Sequence, residues 1–240
     1  MGNEQSKRFA FRSKRCYHFN MNSAIFLCVF IALVFVILAV ALKIFPKDSS
    51  FTIAIGAVIG ANIYSATAYP IFIGGLVFGI DSIVYTIFAF CLLFMYINYG
   101  KRDMKVVLYT SIFSIFFTAF LFFMGNLSQS GYSTELLLIF LSYFASIVAT
   151  FLAVLVMVKA FEVVRTKTNV YVAVFLALIV VSLVNSLIYF GLSYILTGVV
   201  SEIFLISLAG SYIGKLVASV LCLAVLRLTT VWNKNKKIDR

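Results

Sequence analysis

Long, continuous apolar runs constrain this chain more than any other feature. Several of them exceed the ~20 residues that a helix needs to cross a bilayer. Of the 240 residues, 63% are hydrophobic, whereas soluble domains contain about 45–50% apolar residues. The runs lack the alternation of a transmembrane β-barrel, and a helix satisfies its own backbone hydrogen bonds in lipid. The chain is therefore predicted to be an all-α, polytopic transmembrane helix bundle.

Seven apolar runs can be separated. The run over residues 51–69 is the weakest, because it is short, rich in small residues and followed by Pro70. Broken segments of this kind are tolerated where they line a cavity, so we predict six crossings plus one partial or seventh segment. The predicted domains are a basic cytoplasmic arm (1–22), a transmembrane helical domain (23–230) and a basic cytoplasmic tail (231–240). The runs cover residues 23–45, 51–69, 71–98, 106–124, 136–158, 170–196 and 203–226.

The positive charge is concentrated outside the apolar runs. The net charge is +11, which in a soluble chain would suggest nucleic-acid binding. Here the positive-inside rule accounts for it, since short basic loops flank membrane spans on the cytoplasmic side. We therefore predict no nucleic-acid partner and a cytoplasmic C-terminus. The loops concerned contain Lys101, Arg102, Lys105, Lys159, Arg165 and Lys167.

Residues typical of metal sites and enzymes are sparse. The four cysteines are dispersed along the chain and His18 is the single histidine, whereas metal and redox motifs need clustered spacing. Sequence signatures of hydrolases, metalloproteases and nucleotide-binding loops are absent. The sequence thus predicts a protein that is not an enzyme and has neither a metal nor a cofactor.

Two opposite charges interrupt the apolar runs. Asp81 lies in the run over residues 71–98, and Lys215 lies near the middle of the run over residues 203–226. An ionised side chain at the bilayer centre costs at least ~3 kcal/mol, and such residues usually face a bundle interior or a wet cavity. We therefore predict that Asp81 and Lys215 share one polar region, close enough to interact directly or through water.

Polar residues also recur at helical spacing. Lys215 shares a broad helical face with Ser207, Ser211, Tyr212 and Ser219, and Asn185 shares a stripe with Ser182, Ser186 and Tyr189. Asn62 lies in a third polar group. Interhelical hydrogen bonding explains such asparagines as well as solute binding does. The predicted substrate-binding residues are Asn62, Asp81, Asn185, Tyr212 and Lys215. Three Gly-x-x-x-Gly spacings, beginning at Gly56, Gly75 and Gly210, also predict close helix approach.

Four of these segments resemble a known family. They are Gly60-Ala61-Asn62, then Gly74-Gly75 with Tyr99-Gly100-Lys101-Arg102, then 182–190 around Asn185, and finally Tyr212-x-x-Lys215 with Ser219. Over residues 51–226 the chain resembles a divergent member of the VUT family of small bacterial membrane proteins, which includes queuosine-precursor transporters. Asn185 stands where that family typically has an aspartate, and residues 23–45 resemble an addition to its pattern.

The resemblance implies a multi-pass protein of the bacterial inner membrane that transports a small metabolite. Because an amide donates and accepts hydrogen bonds, Asn62 and Asn185 favour a neutral, heterocyclic solute. The alternative is a non-transporting sensor or an assembly subunit that binds a partner in the bilayer. The predicted partners are the lipid bilayer, a small-molecule substrate, and either a second copy of the chain or another membrane protein.

Overall fold

The computed structural model describes residues 21–67, 71–73, 76–130, 134–197 and 204–238. In this part of the chain, helices dominate and one short hairpin interrupts them, so the predicted transmembrane helix bundle is confirmed. The elements in chain order are α1 (Met21–Ile44), α2 (Pro46–Thr67), β1 (Ile71–Ile73), β2 (Leu76–Phe78), α3 (Ile80–Tyr99), α4 (Lys101–Ser130), α5 (Thr134–Arg165), α6 (Val170–Thr197) and α7 (Phe204–Ile238).

Helices α3 to α7 each contain a stretch long and apolar enough to cross a membrane. Within the described residues these five stretches are Ile80–Tyr99, Lys101–Ser128, Leu136–Arg165, Val170–Leu196 and Ile206–Thr229. Helix α1 adds a shorter apolar stretch, Ile31–Ile44. The chain is therefore a membrane protein. Helix α7 also continues through the predicted tail to Ile238, while residues 1–20 of the predicted arm lie outside the described residues.

A hairpin replaces the beginning of the third predicted run. Strands β1 and β2 pair antiparallel, with Ile71 opposite Phe78 and Ile73 opposite Leu76. The sequence between them is Gly-Gly, a composition typical of two-residue hairpin loops. β2 lies against α7. The apolar run over residues 71–98 is therefore not one helix: residues 71–73 and 76–78 are strands, and the helical part begins at Ile80.

Helix α2 covers the segment that was predicted to be broken. Its 22 residues correspond to about 33 Å of helix, which is similar to the thickness of a bilayer core. Pro46 is tolerated as its first residue because the first turn needs no intrahelical N–H donor. The non-helical segment is therefore the hairpin and not the part of the 51–69 run that lies in α2.

Helix α3 occupies the centre of the bundle. In its apolar stretch 67% of the residues are buried, against 28% in α4. Burial extends around the whole circumference of α3 from Tyr85 to Met95, and α2, α4 and α7 pack closely against it. Helix α3 ends at Gly100, whose φ of 93° is a conformation that favours glycine.

Small residues allow α5 and α6 to pack closely. This pair has the most extensive interhelical contact of the described bundle. Ala145, Ala149 and Ala153 follow one face of α5, and all three are fully buried. Small residues at this spacing let membrane helices approach each other. By contrast, a Cβ atom added at Gly56 or Gly60 would meet nothing within 4 Å, so that Gly-x-x-x-Gly pair does not mark a close contact.

Charged contacts gather several helix ends at one end of the bundle. Lys47 Nζ lies 3.2 Å from Asp103 Oδ2, which joins the start of α2 to the start of α4. Lys101 Nζ lies 3.8 Å from Glu162 Oε1, which joins the same region to the end of α5. We call this region the basic end; the further cations that the chain places there are Arg102, Lys105, Lys159, Arg165 and Lys167.

The orientation of the basic end remains a prediction that labelling can test. In a variant without native cysteines, Arg102→Cys at the basic end is expected to resist a membrane-impermeant thiol reagent in intact cells. Ser128→Cys, near the other end of α4, is the control and is expected to react. Both positions are exposed. Labelling at position 102 without labelling at position 128 would reverse the proposed orientation.

Candidate functional site

Lys215 is buried in the bundle and is held by two side chains of α6. Its side chain is on α7, and the residue is only 4% exposed. Lys215 Nζ donates a hydrogen bond to Asn185 Oδ1 at 2.9 Å and another to Ser186 Oγ at 2.7 Å. Because an ammonium group has three donors, these two neutral acceptors satisfy most of its hydrogen-bonding capacity. The contact joins α6 and α7 in the bundle interior.

Helix α3 covers another side of the same ammonium group. Lys215 Nζ lies 5.1 Å from the centre of the Tyr85 ring, within the range of a cation–π interaction. Such contacts contribute about 0.5–2 kcal/mol, with the larger values where water is excluded. We call Lys215, Asn185, Ser186 and Tyr85 the Lys215 site. Three helices therefore meet around one cation.

Asp81 is near the Lys215 site, but it lies at the start of a helix and not in the middle of one. It lies in the first turn of α3, where a carboxylate interacts favourably with the helix dipole. Its carboxylate bends back toward Gly79, and it is close enough to Lys215 to interact with it electrostatically. The sequence placed Asp81 well inside an apolar run, whereas in the structure it follows the hairpin at the start of α3.

A serine pair links α3 to α7 beside the Lys215 site. The hydroxyl oxygens of Ser82 and Ser211 are 2.8 Å apart, and Thr86 donates a hydrogen bond to the Ser82 carbonyl oxygen at 3.0 Å. Interhelical hydrogen bonds of this kind are worth about 0.6 kcal/mol on average in membranes. Their main effect here is to fix which face of α7 contacts α3.

Among the described residues, two buried hydroxyl groups on α3 and α6 have no hydrogen-bond partner. They are Tyr85 Oη and Ser182 Oγ, both buried. The Tyr85 hydroxyl lies near Thr150 on α5, but the pair lacks hydrogen-bond geometry. An unsatisfied buried polar group costs about 1–3 kcal/mol. These hydroxyls are therefore groups that a solute could satisfy.

A second tyrosine extends the polar region along α6. The hydroxyl of Tyr189 is near the hydroxyls of Ser142 on α5 and Ser193 on α6, and Asp81 interacts with it electrostatically. Tyr189 is one turn beyond Asn185, so it lies on the same face of α6. The carboxylate of Asp81 thus interacts electrostatically with two groups, Lys215 on α7 and Tyr189 on α6.

The structure brings some of the predicted substrate-binding residues together and leaves others apart or undescribed. Lys215 and Asn185 are in direct contact, and Asp81 is within electrostatic range. Tyr212 is half-buried and, in the described part of the chain, makes no hydrogen bond to either of them. Asn62 lies in α2, but its side chain is outside the described residues.

Sequence reasoning missed Tyr85 and Ser82. Both are on α3, and the spacing of Asp81 and Tyr85 (i, i+4) puts them on the same helical face. That spacing was a usable signal, but Tyr85 was not separated from the other aromatic residues of the run. Groups of three or more histidine, cysteine or carboxylate side chains that could hold a metal are absent from the described residues.

Comparison with family models, curated proteins and solved structures finds no match.

Proposed function

We propose that this protein transports a small neutral solute across the membrane and binds it at the Lys215 site. The observation that carries the proposal is the buried ammonium group of Lys215, hydrogen-bonded to Asn185 and Ser186 inside a membrane bundle. An ionisable residue at such a position is expensive to bury, and in membrane proteins it commonly marks a substrate or ion pathway.

The neutral partners of Lys215 support solute binding. Asn185 and Ser186 satisfy the cation without neutralising it, so a carbonyl oxygen or ring nitrogen of a solute can take the place of either one. The unpaired hydroxyls of Tyr85 and Ser182 offer further donors and acceptors. Replacing these contacts by contacts to a solute keeps the cation satisfied throughout a transport cycle.

The charges near the site support a neutral solute. Lys215 and Asp81 have opposite sign and interact electrostatically, so together they carry no net charge. A planar heterocycle with donors and acceptors on one edge matches the amide of Asn185. On the resemblance to the VUT family, we propose a queuosine-precursor-like metabolite and a bacterial inner-membrane location with the C-terminus in the cytoplasm.

Uptake by vesicles containing the purified protein tests this function. Labelled nucleobases and deazapurines are offered to wild type, Lys215→Ala and Asn185→Ala. We expect uptake by wild type and at least a tenfold loss in both variants, because a charge-assisted hydrogen bond is worth about 1.5–3 kcal/mol. Lys105→Ala and Asn126→Ala are the controls: Lys105 is exposed, and among the described residues Asn126 donates its one hydrogen bond to Phe122 O of its own helix, at 2.8 Å.

A non-transporting sensor or assembly subunit is the second candidate function. It is favoured by the outer face of α4, where Tyr109, Phe113, Phe116 and Phe117 are each at least half exposed. An aromatic face of this size suits either lipid or a partner helix. If vesicles take up none of the offered solutes and the protein co-purifies with a second membrane protein through α4, this candidate replaces transport.

A further inference from the structure

A cleft at the basic end is independent of the Lys215 site. It has a volume of about 340 Å³ and is lined by Tyr96, Phe161, Glu162, Arg165 and Thr166. The end of α3 and the end of α5 form its walls. The Tyr96 and Phe161 rings meet edge to face with centres 5.7 Å apart, which gives the cleft a rigid aromatic floor.

Arg165 presents an available guanidinium group in this cleft. The group lies over the Phe161 ring at 5.6 Å, within the range of a cation–π interaction. Among the described residues it makes no hydrogen bond or ion pair, and the side chain is exposed. A guanidinium group held by an aromatic ring and free at its edge matches the geometry of a phosphate group, to which it can donate two parallel hydrogen bonds.

Two lysines adjoin the same cleft through Glu162. The Glu162 carboxylate accepts a hydrogen bond from Tyr96 at 2.9 Å and lies 3.8 Å from Lys101 Nζ and 3.5 Å from Lys159 Nζ. These ion-pair distances are longer than the 2.7–2.9 Å of a close charge-assisted hydrogen bond, so both ammonium groups retain donors. Two lysines flank the Glu162 carboxylate and Arg165 lines the same cleft, so the local charge is positive.

The outer face of α5 leads from the bilayer to this cleft. Leu152, Val156 and Val163 are 41%, 41% and 60% exposed. They lie at helical spacing on one face, and Lys159 is on the same face near the cleft. In a membrane protein such an apolar stripe contacts acyl chains. A lipid lying along the stripe would have its headgroup beside Lys159, which contacts Glu162 at the edge of the cleft.

We infer that this cleft binds the headgroup phosphate of an anionic phospholipid. Arg165 donates to the phosphate inside the cleft, Lys101 and Lys159 contribute long-range attraction, and the acyl chains pass Lys159 to lie along the α5 stripe. Basic pockets between transmembrane helices bind anionic headgroups by this combination of charge and burial. The inference does not depend on what the Lys215 site binds.

Lipid retention measured by native mass spectrometry tests the inference. The protein is extracted from vesicles that contain equal amounts of phosphatidylcholine and phosphatidylglycerol. Wild type is expected to retain phosphatidylglycerol preferentially, and Arg165→Gln to lose that preference by about tenfold, as expected for removal of one charge-assisted hydrogen-bonding group. Arg165→Lys should show an intermediate loss, because it keeps the charge but not the paired donors.

Arg102→Gln is the matched control, because Arg102 is an exposed cation of the basic end that does not line the cleft. It is expected to retain phosphatidylglycerol as wild type does. An equal loss in Arg102→Gln and Arg165→Gln would indicate general surface charge and overturn the inference. Displacement of the lipid by soluble glycerol phosphate, with the same dependence on Arg165, would also overturn it in favour of a soluble phosphate ligand.

Discussion

Asn185→Leu is expected to destabilise the protein by about 2 kcal/mol, because it removes a hydrogen bond to a buried charge. Lys215 Nζ would keep its hydrogen bond to Ser186 Oγ, at 2.7 Å, but would lose the acceptor Asn185 Oδ1. Adding Lys215→Met should recover most of that loss, because the double variant leaves no buried charge and packs as an apolar contact. The effects of the two substitutions on stability are thus expected to be strongly non-additive.

Unfolding in detergent, followed for both single variants and the double variant, measures this coupling. Asn126→Leu is the control, since Asn126 bonds only within its own helix, and it should cost little. Uptake is expected to be lost in the double variant despite its recovered stability, since the cation proposed to bind the solute is gone. Additive stability losses would mean that Asn185 and Lys215 do not interact in the folded protein.

The Lys215–Asn185 contact could be predicted in part from the sequence. A lysine in an apolar helix needs polar partners; the sequence predicted Asp81 as that partner and put Asn185 in the same cavity. The direct partners are nevertheless the neutral groups Asn185 and Ser186. Asp81, the residue of opposite charge, contributes electrostatically. Periodicity identifies polar faces, but it does not determine which faces meet.

The position of Asp81 shows why the hairpin and the contribution of α3 to the Lys215 site could not be predicted from the sequence. The run over residues 71–98 is apolar throughout. Its hydropathy therefore cannot show that it begins with a hairpin and continues as a helix. Glycines at 74, 75 and 79 were the signal of the break, but Gly75 and Gly79 were interpreted as a helix-packing pair. The contribution of Tyr85 depends on the tertiary arrangement of α3 against α7, which hydropathy does not encode.

Water access to the Lys215 site tests the central claim most directly. Ser186→Cys, in a background without the native cysteines, puts a thiol beside Lys215 at a position that is 1% exposed in this structure. A transporter must open its binding site to each side in turn. We therefore expect a water-soluble thiol reagent to modify position 186 both in right-side-out and in inverted vesicles, and a transported solute to slow the reaction. If position 186 is protected from both sides while Ser128→Cys reacts from one, the Lys215 site is a structural contact and the transport proposal is wrong.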